Sequence, residues 1–260
     1  RAQDDPRRLT PQQAHRRSSL VLERYSGDDP PARYALIVGV CSYTGARELR
    51  STCENAKRIR EALLRDYGYQ DGRVVLLTDD NPANRGAPCT AGSIRHAIEE
   101  IGSQIRREQA ADIEGAQNST FLFFYSGHGV RRTFAGATQS DDLFYGELAP
   151  AGAFEAVNSP RSESFLDVRQ LREDIPKAIP SRQRMIILDA CFSGTAIRHD
   201  DQHVQYGVAS NQSNPTEFVL TAATESQTAI GEIEGPAWQH LSVFTYALLD
   251  GDEGSAEARF

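Results

Sequence analysis

Two apolar runs decide the fold of this chain, and each of them ends in a residue that can do chemistry. The first reads Phe121-Leu-Phe-Phe-Tyr-Ser-Gly-His-Gly129 and the second reads Met185-Ile-Ile-Leu-Asp-Ala-Cys-Phe-Ser-Gly194. A short, continuous apolar run that breaks at glycine is typical of a strand buried on both faces. Open parallel sheets place their sites beyond the carboxyl ends of the strands. The runs therefore predict that His128 and Cys191 meet at one edge of a parallel sheet.

Further apolar runs predict more strands, and the stretches between them have the spacing of amphipathic helices. The strand runs cover Tyr34–Val40, Arg73–Thr78 and Glu217–Thr221, and the helices cover Glu54–Tyr67, His240–Leu249 and two stretches that begin at the caps Thr90 and Asp167. Strands that alternate with helices build a mostly parallel sheet covered on both faces. The sequence therefore predicts an α/β fold with a central sheet of about six strands.

Shifts in composition mark the ends of the folded part. Residues 1–33 are polar, rich in Arg, Gln, Asp and Pro, and predict a leader or linker, while residues 251–260 predict a C-terminal extension. Residues 131–165 are rich in Gly, Ala, Ser and acidic residues, so we expect long loops there. A single domain over residues 34–250 follows.

Charge and cysteine content limit the partners and the compartment. The formal net charge is −8 and no long basic block occurs, so we expect no nucleic acid partner. The longest apolar runs are too short to span a bilayer, so we expect no membrane segment. Four cysteines without a Cys-x-x-Cys pair predict neither a zinc site nor a disulfide scaffold. The simplest interpretation is a protein of a reducing interior, the cytoplasm.

A thiol beside an imidazole predicts nucleophilic catalysis. A free thiol is a poor nucleophile near neutral pH, whereas its thiolate is a good one. His128 can take the proton of Cys191 and later return it to a leaving amine. The backbone N–H groups of Gly129 and Cys191 can together hold an oxyanion. We therefore predict a cysteine hydrolase.

The motifs around these residues resemble those of a known family. Tyr125-Ser-Gly-His-Gly129 followed by Asp189-Ala-Cys-Phe-Ser-Gly194 is similar to the motifs of caspase-like peptidases, above all the metacaspases and their bacterial relatives. The resemblance covers about residues 34–249. It implies a three-layer sandwich and a cysteine endopeptidase that uses a His-Cys dyad and a thioester acyl-enzyme. It also implies a large portion of about residues 34–197, a flexible linker of about 198–216 and a small portion of about 217–250.

Asp189 predicts the side chain that precedes the cleaved bond. Side chains two apart on a strand point the same way, so Asp189 lies on the face of Cys191. A carboxylate beside the bound substrate suits a basic residue. The resemblance implies the same preference, for Arg and less often Lys, with Asp189 and Ser126 in the pocket.

One departure from the family pattern concerns this pocket. Metacaspase-like proteins often have an Asp after the first strand that helps to form it. The family pattern is Leu, four residues, Asn, Asp and Ala. When residues 49–56 are aligned with it at Leu49 and Ala56, Asn55 takes the place of that Asp. Asn55 can still accept a hydrogen bond but carries no charge, and Glu54 would substitute if the register slipped by one.

A second departure concerns calcium, which many metacaspases bind through acidic residues after the catalytic His. This chain has Asp141, Asp142 and Glu147 there. Calcium favours six to eight oxygen ligands, and these residues do not supply that set. We therefore predict no calcium requirement, no metal site and no other cofactor.

The other three cysteines lack the setting of Cys191. We expect Cys41 to lie in the core and Cys89 to lie in a loop. Cys53 is a candidate to border the pocket.

Three hypotheses follow for the whole chain. The first is an endopeptidase that acts on protein or peptide substrates. The second is a caspase-fold adaptor or scaffold that has lost catalysis. The third is a proenzyme that cuts itself after Arg198, in the polar loop that follows the nucleophile. We also expect a regulatory domain or an activating protein outside residues 1–260.

Overall fold

The structure, a computed structural model, describes residues 30–80, 89–133, 144–155, 161–193, 216–223 and 241–250. The strands are β1 (Arg33–Gly39), β2 (Val74–Thr78), β3 (Thr120–Ser126), β4 (Gly129–Thr133), β5 (Phe144–Leu148), β6 (Leu166–Asp167), β7 (Gln183–Asp189) and β8 (Thr216–Thr221). The helices are α1 (Arg50–Arg65), α2 (Ala91–Ala110), α3 (Arg161–Ser164), α4 (Val168–Ala178) and α5 (Val243–Asp250).

The central sheet is parallel throughout and has the strand order β2-β1-β3-β7-β8. The predicted α/β fold is therefore confirmed, although the described residues form five strands in this sheet rather than about six. Residues 120–126 of β3 pair one for one with residues 183–189 of β7, so that Ser126 lies opposite Asp189. This register determines which residues meet at the carboxyl edge.

Alternating side chains of the sheet build two separate cores. On β1, Tyr34 and Leu36 join the core that α2 and α4 cover, while Ala35 and Ile37 join the core that α1 and α5 cover. Successive side chains of a strand point to opposite faces, so a strand covered on both faces must be apolar throughout. This requirement explains the continuous apolar runs and confirms the prediction of helices on both faces.

The predicted helix caps are largely confirmed. The Thr90 side chain accepts a hydrogen bond from the Ser93 N–H at the start of α2, and the Asp167 carboxylate accepts from the N–H groups of Arg169 and Gln170 at the start of α4. These bonds satisfy N–H groups that a helix start leaves without a partner. The first helix begins at Arg50, four residues earlier than predicted.

The prediction of long loops over residues 131–165 is wrong in part. β4, β5 and β6 form a separate three-stranded antiparallel sheet, and β4 runs directly on from the Gly-His-Gly turn. Short, partly polar strands such as Gly-Val-Arg-Arg-Thr have too little apolar alternation to be recognised from the sequence. The leader prediction also ends too late, because Arg33 is already part of β1.

No helix in the described part of the chain is both long and apolar enough to cross a membrane. The predicted cytoplasmic location stays a prediction.

Two glycines of α2 provide a matched test of the packing between α2 and α4. A Cβ on Gly102 would lie 2.1 Å from the carbonyl oxygen of Ala178, whereas a Cβ on Gly92 would meet only the Thr90 hydroxyl, at 3.8 Å. Alanine favours a helix over glycine by about 1 kcal/mol, so Gly92→Ala should raise the free energy of unfolding. Gly102→Ala should lower it by about 1–3 kcal/mol because the two helices must separate. Urea unfolding of both variants in a Cys191→Ala background measures the difference, and equal effects would contradict the packing described.

Candidate active site

The sheet register brings the turns that carry the two predicted catalytic residues to the same edge of the sheet. His128 follows Ser126 by two residues and Cys191 follows Asp189 by two, and Ser126 and Asp189 are paired across β3 and β7. A Cβ on Gly129 would lie 1.9 Å from the carbonyl oxygen of Cys191 and 3.1 Å from its nitrogen. The two turns are therefore in backbone contact, and the His128 and Cys191 side chains are both partly exposed.

The turn that carries Cys191 is sharp. Phe192, the next residue, has a φ of 56°, in the left-handed region that side chains other than glycine rarely adopt. The Ser193 side chain behind it is buried. The backbone thus turns directly after the thiol.

Residues that precede α1 hold the imidazole of His128. Nε2 of His128 lies 2.7 Å from the carbonyl oxygen of Arg47. A carbonyl only accepts hydrogen bonds, so Nε2 carries the proton and Nδ1 is the basic nitrogen. The Tyr43 ring packs edge-on against the imidazole with centroids 4.5 Å apart. Nothing in the sequence pattern identified Arg47 or Tyr43, since both act from a loop.

The backbone N–H of Gly129 points away from the β4–β5 ladder. The Ala149 N–H donates to the carbonyl of His128, so Gly129 and Leu148 face each other as a non-hydrogen-bonded pair of the β4–β5 ladder. The N–H groups of such a pair point outward from the ladder. The N–H of Gly129 therefore points away from β5, and its role toward an oxyanion stays a prediction.

The three predicted pocket residues lie together but are buried. The Asn55 amide donates to the Ser126 hydroxyl (3.0 Å) and to Oδ2 of Asp189 (3.1 Å), and the Ser126 hydroxyl also lies 3.3 Å from that oxygen. Asn55 and Ser126 have no exposed surface, and Asp189 is 5% exposed. Glu54, the alternative to Asn55, forms an ion pair with Arg58 on the surface. Asn55 is thus the residue that the fold directs toward Asp189.

The start of α5 completes this network, which the sequence did not indicate. The hydroxyls of Ser242 and Thr245 both donate to Oδ2 of Asp189, the second at 2.8 Å. The Ser242 N–H donates to Oδ1 of Asn55, and the Ser242 hydroxyl accepts from the Thr245 N–H as a helix cap. Burial raises the pKa of Asp189, and the hydrogen bonds of Ser242, Thr245 and Ser126 oppose that rise.

A disulfide between Cys41 and Cys53 corrects the expectation of free thiols. Their Sγ atoms are bonded and their Cα atoms lie 5.5 Å apart. Cys41 directly follows the end of β1 and Cys53 lies in the first turn of α1, so the connection between these elements folds back on itself. The cysteines are 12 positions apart without a recognisable motif, which is why the sequence did not predict their pairing. The expected reducing compartment therefore has no support from these cysteines.

Cys89 lies in the loop before α2, as predicted, but its side chain is enclosed there. It precedes the Thr90 cap of α2 and is fully buried. Burial raises its pKa to about 12, so that its thiol is inert near neutral pH.

Metal-binding predictions can be compared only with the described residues. Among them, one group of His, Cys, Asp or Glu has its ligand atoms close enough for a metal ion, and it consists of Cys41, Cys53 and Asp79. Of the acidic residues considered for calcium, Glu147 forms an ion pair with Arg132. Asp141, Asp142 and the predicted self-cleavage residue Arg198 lie outside the described residues.

Comparison with known families fits this arrangement. The family model of the caspase domain, a peptidase family, matches residues 32–256. The chain belongs to the caspase domain family. The resemblance seen in the two motifs is thereby confirmed.

Relatives of this caspase domain include plant and fungal metacaspases. Metacaspase-6 of Arabidopsis thaliana is 27% identical over 204 residues, which cover 78% of this chain and 48% of the relative. Metacaspase-1 of Mycosarcoma maydis is 30% identical over 228 residues, which cover 83% of this chain and 49% of the relative. The chain thus spans about half the length of these curated relatives. A solved protein of Geobacter sulfurreducens is similar at 16% identity and a TM-score of 0.41, with 62% of this chain and 51% of that chain covered, and adds nothing to the assignment.

The contact between the two turns of the caspase domain predicts a strict requirement for glycine at position 129. The new Cβ of Gly129→Ala would overlap the Cys191 carbonyl and force the turns apart. A shift of about 1 Å costs on the order of 100-fold in rate, so we expect at least that loss in kcat. Gly72→Ala is the matched control, because a Cβ there meets nothing within 4 Å. Hydrolysis of fluorogenic peptides measures both, and a Gly129→Ala variant with the activity of Gly72→Ala would contradict the geometry.

Proposed function

We propose that this caspase domain is a cysteine endopeptidase with Cys191 as nucleophile and His128 as general base. The observation that carries the proposal is the β3–β7 register, which ends in a thiol on one strand and an imidazole on its neighbour. The backbone contact of Gly129 with Cys191 supports a shared site for one scissile bond. Membership in a peptidase family supports the same reaction class.

The proposed reaction follows from the hydrogen bond that Nε2 of His128 makes with the carbonyl of Arg47. Nδ1 takes the proton of the Cys191 thiol, and the thiolate attacks the carbonyl carbon of the scissile bond. The N–H groups of Gly129 and Cys191 stabilise the resulting oxyanion. The imidazolium then protonates the leaving amine, and a thioester remains on Cys191. Water, deprotonated by Nδ1, hydrolyses the thioester and restores the thiol.

The carbonyl of Arg47 supports both halves of this cycle. Its hydrogen bond keeps Nε2 protonated, so that Nδ1 is the nitrogen available to the thiol. The same carbonyl dipole favours the imidazolium that forms after proton transfer. In this proposal the third partner, which orients His128, is a backbone carbonyl and not a charged side chain.

The proposed substrate residue before the cleaved bond is Arg, with Lys second. Among the described residues, the donors to Asp189 are all neutral and all bond Oδ2. A buried carboxylate without a cation is costly, and a substrate guanidinium would supply the opposite charge. The proposal therefore assigns Oδ1 of Asp189 to the substrate, with Asn55 and Ser126 as the residues that orient the carboxylate.

A preference for Arg also supports self-cleavage after Arg198, which makes the chain a proenzyme in this proposal. Protein or peptide substrates follow from the peptidase family.

The charge of the pocket is tested by comparing substrates that differ only in charge. Peptides with Arg before the reporter group are compared with peptides that carry citrulline, its neutral isostere. Loss of one partner of a buried charge pair costs about 2–5 kcal/mol, so wild type should prefer Arg by at least about 30-fold in kcat/KM. In Asp189→Asn this ratio should fall toward one. The ratio is measured within each variant, so a partial loss of folded protein cancels.

Controls separate the pocket from the reaction itself. Asp174→Asn, at an exposed position of α4 paired with Lys177, should keep the wild-type ratio. Cys191→Ala should cleave neither peptide. Turnover by Cys191→Ala would overturn the mechanism, and equal cleavage of both peptides by wild type, or cleavage only after Asp, would overturn the specificity.

A further inference from the structure

The Tyr43 hydroxyl is built into the turn that carries His128. It accepts a hydrogen bond from the His128 N–H at 2.8 Å and donates one to the carbonyl of Ala149 at 3.0 Å. Together with the Tyr125 hydroxyl it fills the space beside Gly127, where a Cβ would lie 2.7 Å from each of the two oxygens. Tyr43 is 8% exposed, so water does not compete freely for these bonds.

The ring of Tyr43 acts on the imidazole as well. It packs edge-on against His128 at 61° between the ring planes, and Phe154 packs against both rings at 5.9 and 6.1 Å. Edge-to-face packing favours one ring orientation over others. The same residue thus determines the position of the His128 backbone and the rotation of its side chain.

We propose that Tyr43 is a positioning residue for the base, an inference that rests on the proposed peptidase function. It holds Nδ1 of His128 toward Cys191 while Arg47 holds Nε2 from the other side. Both contacts come from the loop between β1 and α1, so the base depends on a segment that contributes nothing to the sheet.

Tyr43→Phe tests this role because it keeps the ring and removes only the hydroxyl. Loss of its hydrogen bonds to the His128 N–H and the Ala149 carbonyl should lower kcat about tenfold. KM should change less than about twofold, because Tyr43 is not proposed to touch the substrate. The carboxamidomethylation rate of Cys191 at fixed pH should fall with kcat.

Tyr67→Phe, at an exposed tyrosine, is the matched control and should leave all three quantities unchanged. A Tyr43→Phe variant with the kinetics of Tyr67→Phe overturns the proposal. So does a variant in which kcat, KM and the unfolding midpoint all change together, since that indicates general damage. If wild type cleaves no peptide, the proposed peptidase function fails, whereas the alkylation rate still decides the role of Tyr43.

A second inference comes from the disulfide at the base of this loop. The Cys41–Cys53 bond closes the segment that carries Tyr43 and Arg47. Asp79 holds the start of this segment as well, because its carboxylate accepts hydrogen bonds from the N–H groups of Cys41 and Ser42 at 2.9 and 2.8 Å. A crosslink that closes a loop limits the conformations open to the residues within it.

The surroundings of the two sulfurs suit a reduced form too. Oδ1 of Asp79 lies 3.0 Å from Sγ of Cys41 and 3.1 Å from Sγ of Cys53. A disulfide has no hydrogen to donate, whereas two thiols can both donate to this oxygen. Cys41 is 9% exposed and Cys53 is 1% exposed, so an attacking thiolate reaches Cys41 first.

The geometry points to Cys41–Cys53 as a site of thiol–disulfide exchange that controls the position of His128. A dithiol reductant attacks Sγ of Cys41, the bond to Cys53 breaks, and the reductant leaves as its own cyclic disulfide. Two electrons and two protons pass from the reductant to the two cysteines. In the reduced form the loop is more mobile, so Tyr43 and Arg47 restrain the His128 imidazole less. Cys191 remains a thiol throughout.

Thiol counting and kinetics on one set of variants test this switch. Protein purified without reductant and then denatured should show two thiols, those of Cys89 and Cys191, and four after reduction. Reduction of the native chain should lower kcat at least threefold, about the change that loss of part of a hydrogen bond produces. The double variant Cys41→Ser/Cys53→Ser should have the lower kcat from the start and should not respond to reductant.

Cys89→Ser is the control, because it keeps the disulfide and should respond as wild type does. Before every assay, titration with iodoacetamide gives the fraction of reduced Cys191, to which kcat is normalised. Four thiols without reduction would overturn the proposal, and so would a double variant as active as oxidised wild type. If no peptide is cleaved in any arm, the alkylation rate of Cys191 replaces kcat as the readout, and the failure belongs to the proposed function.

Discussion

The in-register pairing of β3 with β7 is the constraint on which the site depends. Both strands lie inside a parallel sheet whose neighbouring strands are about 4.8 Å apart, and both are covered on their two faces. Because Ser126 and Asp189 are partners, the residues two positions later emerge at the same edge and at the same height. A slip of one residue would turn every side chain of β7 to the other face and bury polar Asp189 against the wrong core. Apolar burial on both faces therefore keeps the turns that carry His128 and Cys191 at the same edge of the sheet.

The two reactive side chains are nevertheless positioned by different kinds of structure. Cys191 lies at the end of a central strand, in a turn fixed by the left-handed residue after it. His128 lies in a turn whose neighbours come from the loop after β1, which is closed by a disulfide and by Asp79. Sheet pairing is cooperative with the whole core, whereas a loop can reorganise at much lower cost. The surroundings of His128 are therefore easier to change than those of Cys191.

The sequence predicted the parts of the molecule in which local pattern and burial agree. The runs around Phe123 and Ile187 must be apolar because both faces are covered, and the caps Thr90 and Asp167 act within their own helix turns. The antiparallel sheet was missed because β4 is short and partly polar. Three contacts that the sequence did not predict join residues outside any common helix or strand: the disulfide, the ring contact of Tyr43 and the bonds of Ser242. The spacing of apolar residues carries no information about such contacts. Such contacts follow from the register of the sheet, which sequence alone does not supply.

Asp189 links the specificity of the site to the integrity of the C-terminal part. It receives two of its four hydrogen bonds from the first turn of α5, and Asn55 receives the Ser242 N–H from the same turn. β8 is held to β7 by a parallel ladder, and α5 packs its apolar side against the core that α1 covers. Departure of α5 would remove half of the donors from a buried carboxylate. The pocket and α5 are therefore retained or lost together.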